Sequence, residues 1–396
     1  MSLTDTPNAN RLHITLFGRR NSGKSSLINA LTGQDTALVS NTPGTTTDLV
    51  SKAMEIQGIG PCLFIDTPGF DDEGALGELR ISRTLKAIEK TDIALLLCED
   101  TTFFHEKEIL ALLKEKNIPV IPVLNKIDIR ENSDHLATYI EEQCKIHPLL
   151  ISAKEKIGIE LIRQAILEKL PSDFGQQSIT RELVTENDLV LLVMPQDIQA
   201  PKGRLILPQV QTIRELLDKK CLVVTCTTDK FSVTLQALAR PPKLIITDSQ
   251  VFKAIYEQKP KESELTSFSV LFAGYKGDIH YYVESAAVIE RLTESSRVLI
   301  AEACTHAPLS EDIGRVKLPR LLRKWIGENL QIDMVAGTDL PQDLTPYSLV
   351  IHCGACMFNR KYVLSRIERA REQHIPMTNY GVAIAFLNGI LDQIKY

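Results

Sequence analysis

Three cysteines set far apart in the chain, Cys304 and then Cys353 with Cys356, each lie near a histidine in the pattern C-T-H…H-C-G-A-C. Thiolate sulfur is a soft ligand, and three of them favour Zn²⁺ or an iron–sulfur cluster over hard cations. The two-residue spacing of Cys353-Gly-Ala-Cys356 lets both sulfurs turn toward one centre, and Gly354 relaxes the backbone between them. Zinc would close a tetrahedron with a histidine, whereas a cubane on three cysteines leaves one iron with an exchangeable ligand. The residues alone leave these two open.

A second constellation lies near the start. Gly18-Arg-Arg-Asn-Ser-Gly23-Lys24-Ser25 is a full G-x-x-x-x-G-K-S loop between an apolar run and a helical pattern carrying Leu27, Ile28 and Leu31. A triphosphate carries several charges that must be met without steric obstruction, and such a loop wraps them in backbone N–H groups aided by the helix dipole. Asn21, Ser22, Gly23, Lys24, Ser25 and Ser26 are the candidate phosphate-binding set. Lys24 would neutralise the β and γ phosphates. Ser25 is expected to place its hydroxyl on Mg²⁺, and Asp66 of Asp66-Thr-Pro-Gly69 to reach the same ion through water.

Asn125-Lys126-Ile-Asp128 and Ser152-Ala153-Lys154 each follow an apolar run, so both are expected at the carboxyl edge of a sheet, where a base would rest. The Asp128 carboxylate can accept two hydrogen bonds from N1 and N2 of guanine. Adenine offers no such pair, a mismatch that discriminates by roughly 10⁴-fold. The nucleotide implied is GTP. Asn125 and Lys126 would brace the loop and cover the base, with the Ala153 N–H available to guanine O6.

The elements that must present these residues are legible in the hydrophobic pattern. Apolar runs at 12–17, 62–65, 93–98, 120–124 and 149–151 read as strands of a mostly parallel sheet. A polar break from Pro171 to Ser178 reads as a linker. Residues 188–260 repeat strand and helix without a phosphate loop or ligand cluster, and Cys221 and Cys226 read as core residues. Further strands are expected at 268–272, 298–303, 332–335 and 348–351, with Cys304 and His352-Cys353 at the carboxyl ends of two of them. The expected fold is α/β: a P-loop domain (1–172) followed by two smaller α/β domains (173–265 and 266–396) with mainly parallel sheets.

The first domain resembles the bacterial GTPases of the Era and MnmE kind through GRRNSGKSS, PGTTTD, DTPG, NKID and SAK. The resemblance implies that Thr46 is the switch threonine that meets Mg²⁺ and the γ phosphate. It also matches Asn21 to the asparagine that holds K⁺ near the phosphates in potassium-activated members, where a cation can offset charge on the β–γ bridge. Phe70, after Gly69, cannot orient a water as a glutamine does, and Glu78 is a candidate for that task. Lys24, Thr46, Asp66 and Gly69 form the expected catalytic set.

Across the whole chain, C-x-H…H-C-x-x-C downstream of this GTPase domain resembles the [FeFe]-hydrogenase maturation GTPases of the HydF family, including the segment APKGRLILPQ at 200–209. The resemblance implies a [4Fe-4S] cluster on Cys304, Cys353 and Cys356, and a middle domain that forms a homodimer. It further implies a diiron precursor as cargo, received from radical-enzyme maturases and delivered to apo-[FeFe]-hydrogenase. His306, His352 and Glu302 are candidates for the fourth ligand or for the shell around it.

Composition sets outer bounds. The chain has 396 residues, 44% hydrophobic and 24% charged, so it can bury more than one core without staples. A net charge of −5 gives no broad basic field, which argues against nucleic acid or an anionic membrane as partner. Eight scattered cysteines do not make a disulfide framework, and the polar start lacks the apolar core of a signal peptide, so a cytoplasmic setting is expected. The rival reading is a ribosome- or RNA-associated GTPase with a structural zinc module, although no basic tail accompanies it.

Overall fold

The computed structural model describes residues 6–32, 50–56, 58–69, 83–171, 174–175, 177–195, 205–303 and 313–396. The chain divides into two compact units, Met1–Gln176 and Gln177–Tyr396.

The first unit is built on six strands: β1 (Leu12–Gly18), β2 (Val50–Ile56), β3 (Gly60–Asp66), β4 (Ile93–Cys98), β5 (Val120–Leu124) and β6 (Leu149–Leu150), in the order β2-β3-β1-β4-β5-β6. Only β2 runs antiparallel, on β3. Strands covered on both faces read as unbroken apolar runs, and β1, β4 and β5 are buried at every position. Alternation sends Leu12, Ile14 and Leu16 against Leu27, Ile28 and Leu31 of helix Lys24–Thr32. Phe17 turns to the other face with Leu96, Leu110, Leu113 and Ile140. Strand β2, with Ser51, Lys52 and Glu55 interrupting its apolar residues, did not stand out in the sequence.

The second unit contains two parallel sheets. Strands β7 (Leu189–Val193), β8 (Leu222–Cys226), β9 (Leu244–Thr247) and β10 (Glu264–Ser267) lie in the order β10-β9-β7-β8. Strands β11 (Arg297–Glu302), β12 (Gln331–Ala336), β13 (Leu349–His352) and β14 (Met377–Asn379) lie in the order β12-β11-β13-β14. The chain leaves β11, goes to one side for β12 and returns to the other for β13. The point where that order reverses therefore falls between β11 and β13, and ligands of open α/β sheets bind outside the carboxyl ends at such a point.

The expected strand at 268–272 is instead a helix, Phe268–Lys276. A short apolar run has no period that separates the two states, and here the Ser267 hydroxyl decides by accepting the Val270 N–H at the helix start. The helix is apolar nearly all round because both sides are covered. Phe268, Leu271 and Phe272 pack with Val190, Leu192, Leu244 and Ile246. Val270 and Ala273 join a cluster that contains Leu191, Val193 and Ile245 of the first sheet with Leu299, Ala301 and Val350 of the second. Residue 265 thus falls inside one compact unit. Among the described residues no helix is long and apolar enough to cross a membrane.

Candidate functional sites at two sheet edges

At the carboxyl edge of the first sheet, the loop after β1 turns through Asn21 (φ 61°) and Gly23 (φ 91°) into helix Lys24–Thr32. Gly23 is required twice over: its φ is left-handed, and a Cβ there would lie 2.2 Å from the Asn125 Nδ2. Lys24 is buried, its ammonium donating to the carbonyls of Gly18 (2.9 Å) and Arg19 (2.8 Å). The Ser25 hydroxyl donates to Asp66 at 2.6 Å, so the two groups expected to share Mg²⁺ meet across helix and strand. Burial pushes the Asp66 carboxyl up, against the pull of Ser25 and Lys24. Its second oxygen is buried without a partner, which suits a hydrated divalent cation.

Asn125 ties the loops of this edge together. Its Nδ2 donates to the Ser22 carbonyl (3.0 Å), and its Oδ1 accepts from the N–H groups of Lys126 (2.8 Å) and Ala153 (3.0 Å). The Ala153 N–H expected for guanine O6 is therefore engaged by Asn125, a departure that follows from Asn125 being buried with both halves of its amide to satisfy. Lys126 reaches back to the Asn21 carbonyl (2.5 Å) and Glu99 (3.1 Å). Ser152 donates to Asp128 at 2.6 Å, and this bond holds the Asp128 carboxyl below the usual range. Lys154 also faces Asp128 electrostatically, Ser26 is exposed, and Gly69 follows β3 half-buried. Thr46, Phe70 and Glu78 lie outside the described residues.

The sequence reading missed Arg19. It pairs with Glu106 (2.9 Å), which is only 1% exposed, and with Asp100 (3.0 Å), and so anchors the phosphate loop to helix Phe104–Glu115. An arginine at a free position of the motif gives no signal until Glu106 is found buried.

The second edge lies at the reversal point of the last sheet. His352 ends β13 in register with Ala301 of β11 and Asn379 of β14. The next residue, Cys353, is half-buried, and its sulfur accepts the N–H of Ala303 (3.0 Å) and of Ala355 (3.4 Å). Ala355 holds φ 47°, the left-handed geometry that turns the C-x-x-C loop. Ala303 immediately precedes Cys304 in sequence; Cys304 and His306 themselves lie outside the described residues. Among the described residues no group of three or more His, Cys, Asp or Glu is gathered for a metal.

Of the candidates for a fourth ligand, His352 is committed elsewhere. It is buried, with Nδ1 2.7 Å from the Cys353 carbonyl and Nε2 2.9 Å from an Arg366 nitrogen. Burial and the Arg366 charge push its imidazole down to about 3, so it stays neutral, accepting at Nε2 and donating at Nδ1. Neither nitrogen keeps a lone pair for a metal, and His352 positions the Cys353 peptide. Glu302 pairs with Arg315 at 3.1 Å, and a Cβ on Gly314 would come within 2.6 Å of it.

Two buried cations near the loop went unnoticed in the sequence. Lys276, at the end of the helix linking the two sheets, is 2% exposed and donates to the carbonyls of Ala355 (3.0 Å), Cys356 (3.2 Å) and Phe358 (2.9 Å). A lysine at a helix C-terminus is ordinarily a solvated dipole partner. Arg366 lies on helix Arg360–Glu372, where six other charged residues hide it, yet it shares the buried stripe of Tyr362, Val363, Ile367 and Ala370. That spacing was a usable signal.

A soft donor set suits an iron–sulfur group here. Cys353 and Cys356 are accessible, and backbone N–H groups aim at the Cys353 sulfur, the kind of bond that stabilises cluster thiolates.

Comparisons with known proteins fit this division. Residues 13–126 match a family described as a 50S ribosome-binding GTPase. The chain is 40% identical over 161 residues to the tRNA modification GTPase MnmE of Dechloromonas aromatica, covering 39% of this chain and 34% of that protein. It is 39% identical over 160 residues to MnmE of Nitrosomonas europaea, covering 40% and 34%. The chain thus spans about a third of the length of these curated relatives. Among solved structures, Era of Aquifex aeolicus bound to GDP and AlF4⁻ superimposes with a TM-score of 0.35 at 22% identity, over 54% of this chain and 92% of that one. Beyond the GTPase domain, residues 179–277 match the hydrogen maturase F dimerization domain and residues 280–395 the hydrogen maturase F tetramerization domain. A GTPase domain followed in order by these two domains places the chain in the hydrogen maturase F family.

Proposed function

We propose that this chain is a GTPase scaffold in [FeFe]-hydrogenase maturation, holding a [4Fe-4S] cluster and passing a diiron precursor from radical-enzyme maturases to apo-hydrogenase. The observation that carries this reading is the Cys353 sulfur, held by the N–H of Ala303 beside the reversal point of the last sheet, in a chain whose first sheet edge also presents Lys24, Ser25, Asp66, Asn125 and Asp128.

Residues 1–172 bind and hydrolyse GTP. Lys24 leaves the Gly18 and Arg19 carbonyls for the β and γ phosphates, and Ser25 with Asp66 holds Mg²⁺, which neutralises charge on the phosphate oxygens when bound. Asn125 keeps the phosphate and base loops in one register, and Asp128, held ionised by Ser152, selects guanine. Asn21 contributes to a K⁺ site, and Thr46 completes the Mg²⁺ and γ-phosphate contacts.

Residues 173–265 form the homodimer contact. Strand β8 is a sheet edge, and Leu222 on it and Val233 beyond it are 52% and 62% exposed. Residues 266–396 carry the cluster, which supplies an exchangeable iron position when bound. Cys304, Cys353 and Cys356 hold it, Lys276 and His352 fix the loop, and His306 or Glu302 stands at the fourth position.

Purified protein loaded with the precursor should activate apo-[FeFe]-hydrogenase, read as hydrogen evolution, while Cys353→Ser should not. Tight retention of zinc with no activation would return the chain to the ribosome-associated class. GTP turnover that is equal in K⁺ and Na⁺ would remove the role of Asn21.

A further inference from the structure

Among the described residues Arg366 is the largest fully buried side chain, at 2% exposure. Its Nη1 donates to His352 Nε2 (2.9 Å), and its Nη2 donates to the Gly337 carbonyl (2.6 Å) and the Tyr362 hydroxyl (2.6 Å). The guanidinium also lies over the Tyr362 ring at 4.5 Å, while Nε is buried with no partner. Every one of these partners is neutral. No carboxylate among the described residues pairs with it.

Arginine stays charged in proteins, and a charge taken out of water without an opposite charge is strongly unfavourable. The three partners fix the fork in place but do not cancel its charge. Through neutral His352 the fork is tied to the Cys353 carbonyl, which also takes a bond from Asn379 (3.4 Å). A buried positive charge is thus set two hydrogen bonds from the peptide of a metal-ligating cysteine.

We propose that Arg366 is the built-in counter-charge of the metal–thiolate group at Cys353 and the positioning residue for its peptide. This rests on the cluster reading above. A cubane on three thiolates would carry net negative charge, and taking one electron from an external reductant would make it more negative. A fixed positive charge nearby favours the reduced state, so Arg366 raises the midpoint potential.

The test is an EPR-monitored redox titration of the full-length protein, reconstituted anaerobically with iron and sulfide, as native, Arg366→Gln and Arg366→Lys. In Arg366→Gln the ratio of reduced to oxidised cluster at the native midpoint should fall at least tenfold, about 59 mV for one electron. Arg366→Lys, which keeps the charge but not the fork, should stay nearer to native. A folded Arg366→Gln protein that fails to keep a cluster which Arg366→Lys retains supports the same role. A native midpoint in Arg366→Gln overturns it. If Arg366→Gln does not fold, Arg366→Lys decides: a near-native midpoint supports the role, whereas a tenfold shift or a second failure to fold makes Arg366 a framework residue and overturns it. A native protein that takes up no cluster refutes the cluster reading itself, whereas a native cluster indifferent to Arg366→Gln refutes this inference alone.

Discussion

At the nucleotide edge Lys24 rests on two carbonyls, Arg19 on Glu106 and Asp100, and Lys126 on Glu99. At the edge of the last sheet the guanidinium of Arg366 meets an imidazole nitrogen, a carbonyl and a phenol. Both edges present their chemistry at the carboxyl ends of parallel strands, with backbone turns of positive φ at Gly23 and Ala355. They differ in how charge is settled. The first edge pairs Arg19 and Lys126 with carboxylates and rests Lys24 on neutral carbonyls that a phosphate can displace, as suits a ligand that comes and goes. The second buries Arg366 with no acid beside it among the described residues, two hydrogen bonds from the Cys353 carbonyl. A site organised in that way suits a group that stays.

That contrast can be broken by separate losses. Lys24→Ala should cut GTP turnover by about 10²–10³-fold, the range for removing one preorganised charge partner, while leaving iron uptake unchanged; coupled loss of both in one preparation would contradict the independence of the two edges. Asp128→Asn should lose guanine discrimination by about 10²-fold or more in competition binding against ATP, since the carboxylate that Ser152 holds ionised is gone. Lys276→Met removes the donor of three buried carbonyls. It should lower stability to thermal unfolding by about 1–3 kcal/mol, with faster proteolysis of the 353–358 loop and no change in GTP affinity. The smallest effect is chemical. In native, metal-free protein, iodoacetamide should label Cys353 and Cys356 well before Cys62 and Cys144, whose thiols burial pushes up to about 12 and about 11. Equal labelling would mean that the C-x-x-C loop is not the open sulfur site.

The motifs of the nucleotide edge are legible in sequence because they are local: a loop, a strand end and two short signatures, which the first sheet places at its carboxyl edge. What the sequence could not carry was the joinery between them. Asn125 of NKID reads as a brace for its loop, but which loops it joins does not: its amide spans Ser22 and Ala153, residues that are neighbours only after the sheet is built. The α/β class followed from the apolar runs of β1, β4 and β5, whereas 268–272 misled because a helix buried on both sides has no amphipathic stripe. The cysteines at the last sheet were plain from their spacing. The cations behind them were not, since Lys276 and Arg366 have charged side chains whose burial depends on a helix from another part of the unit.

The account turns on what Cys353 and its neighbours hold. Anaerobic reconstitution with iron and sulfide, followed by absorption and EPR, measures this most directly when native protein is set beside Cys353→Ser. The native chain should acquire about four irons per protomer, as a three-cysteine cubane requires, with a reducible signal that Cys353→Ser lacks. Zinc held tightly by native protein, with no cluster formed after its removal, would contradict the scaffold reading and leave a guanine-nucleotide hydrolase with a structural metal.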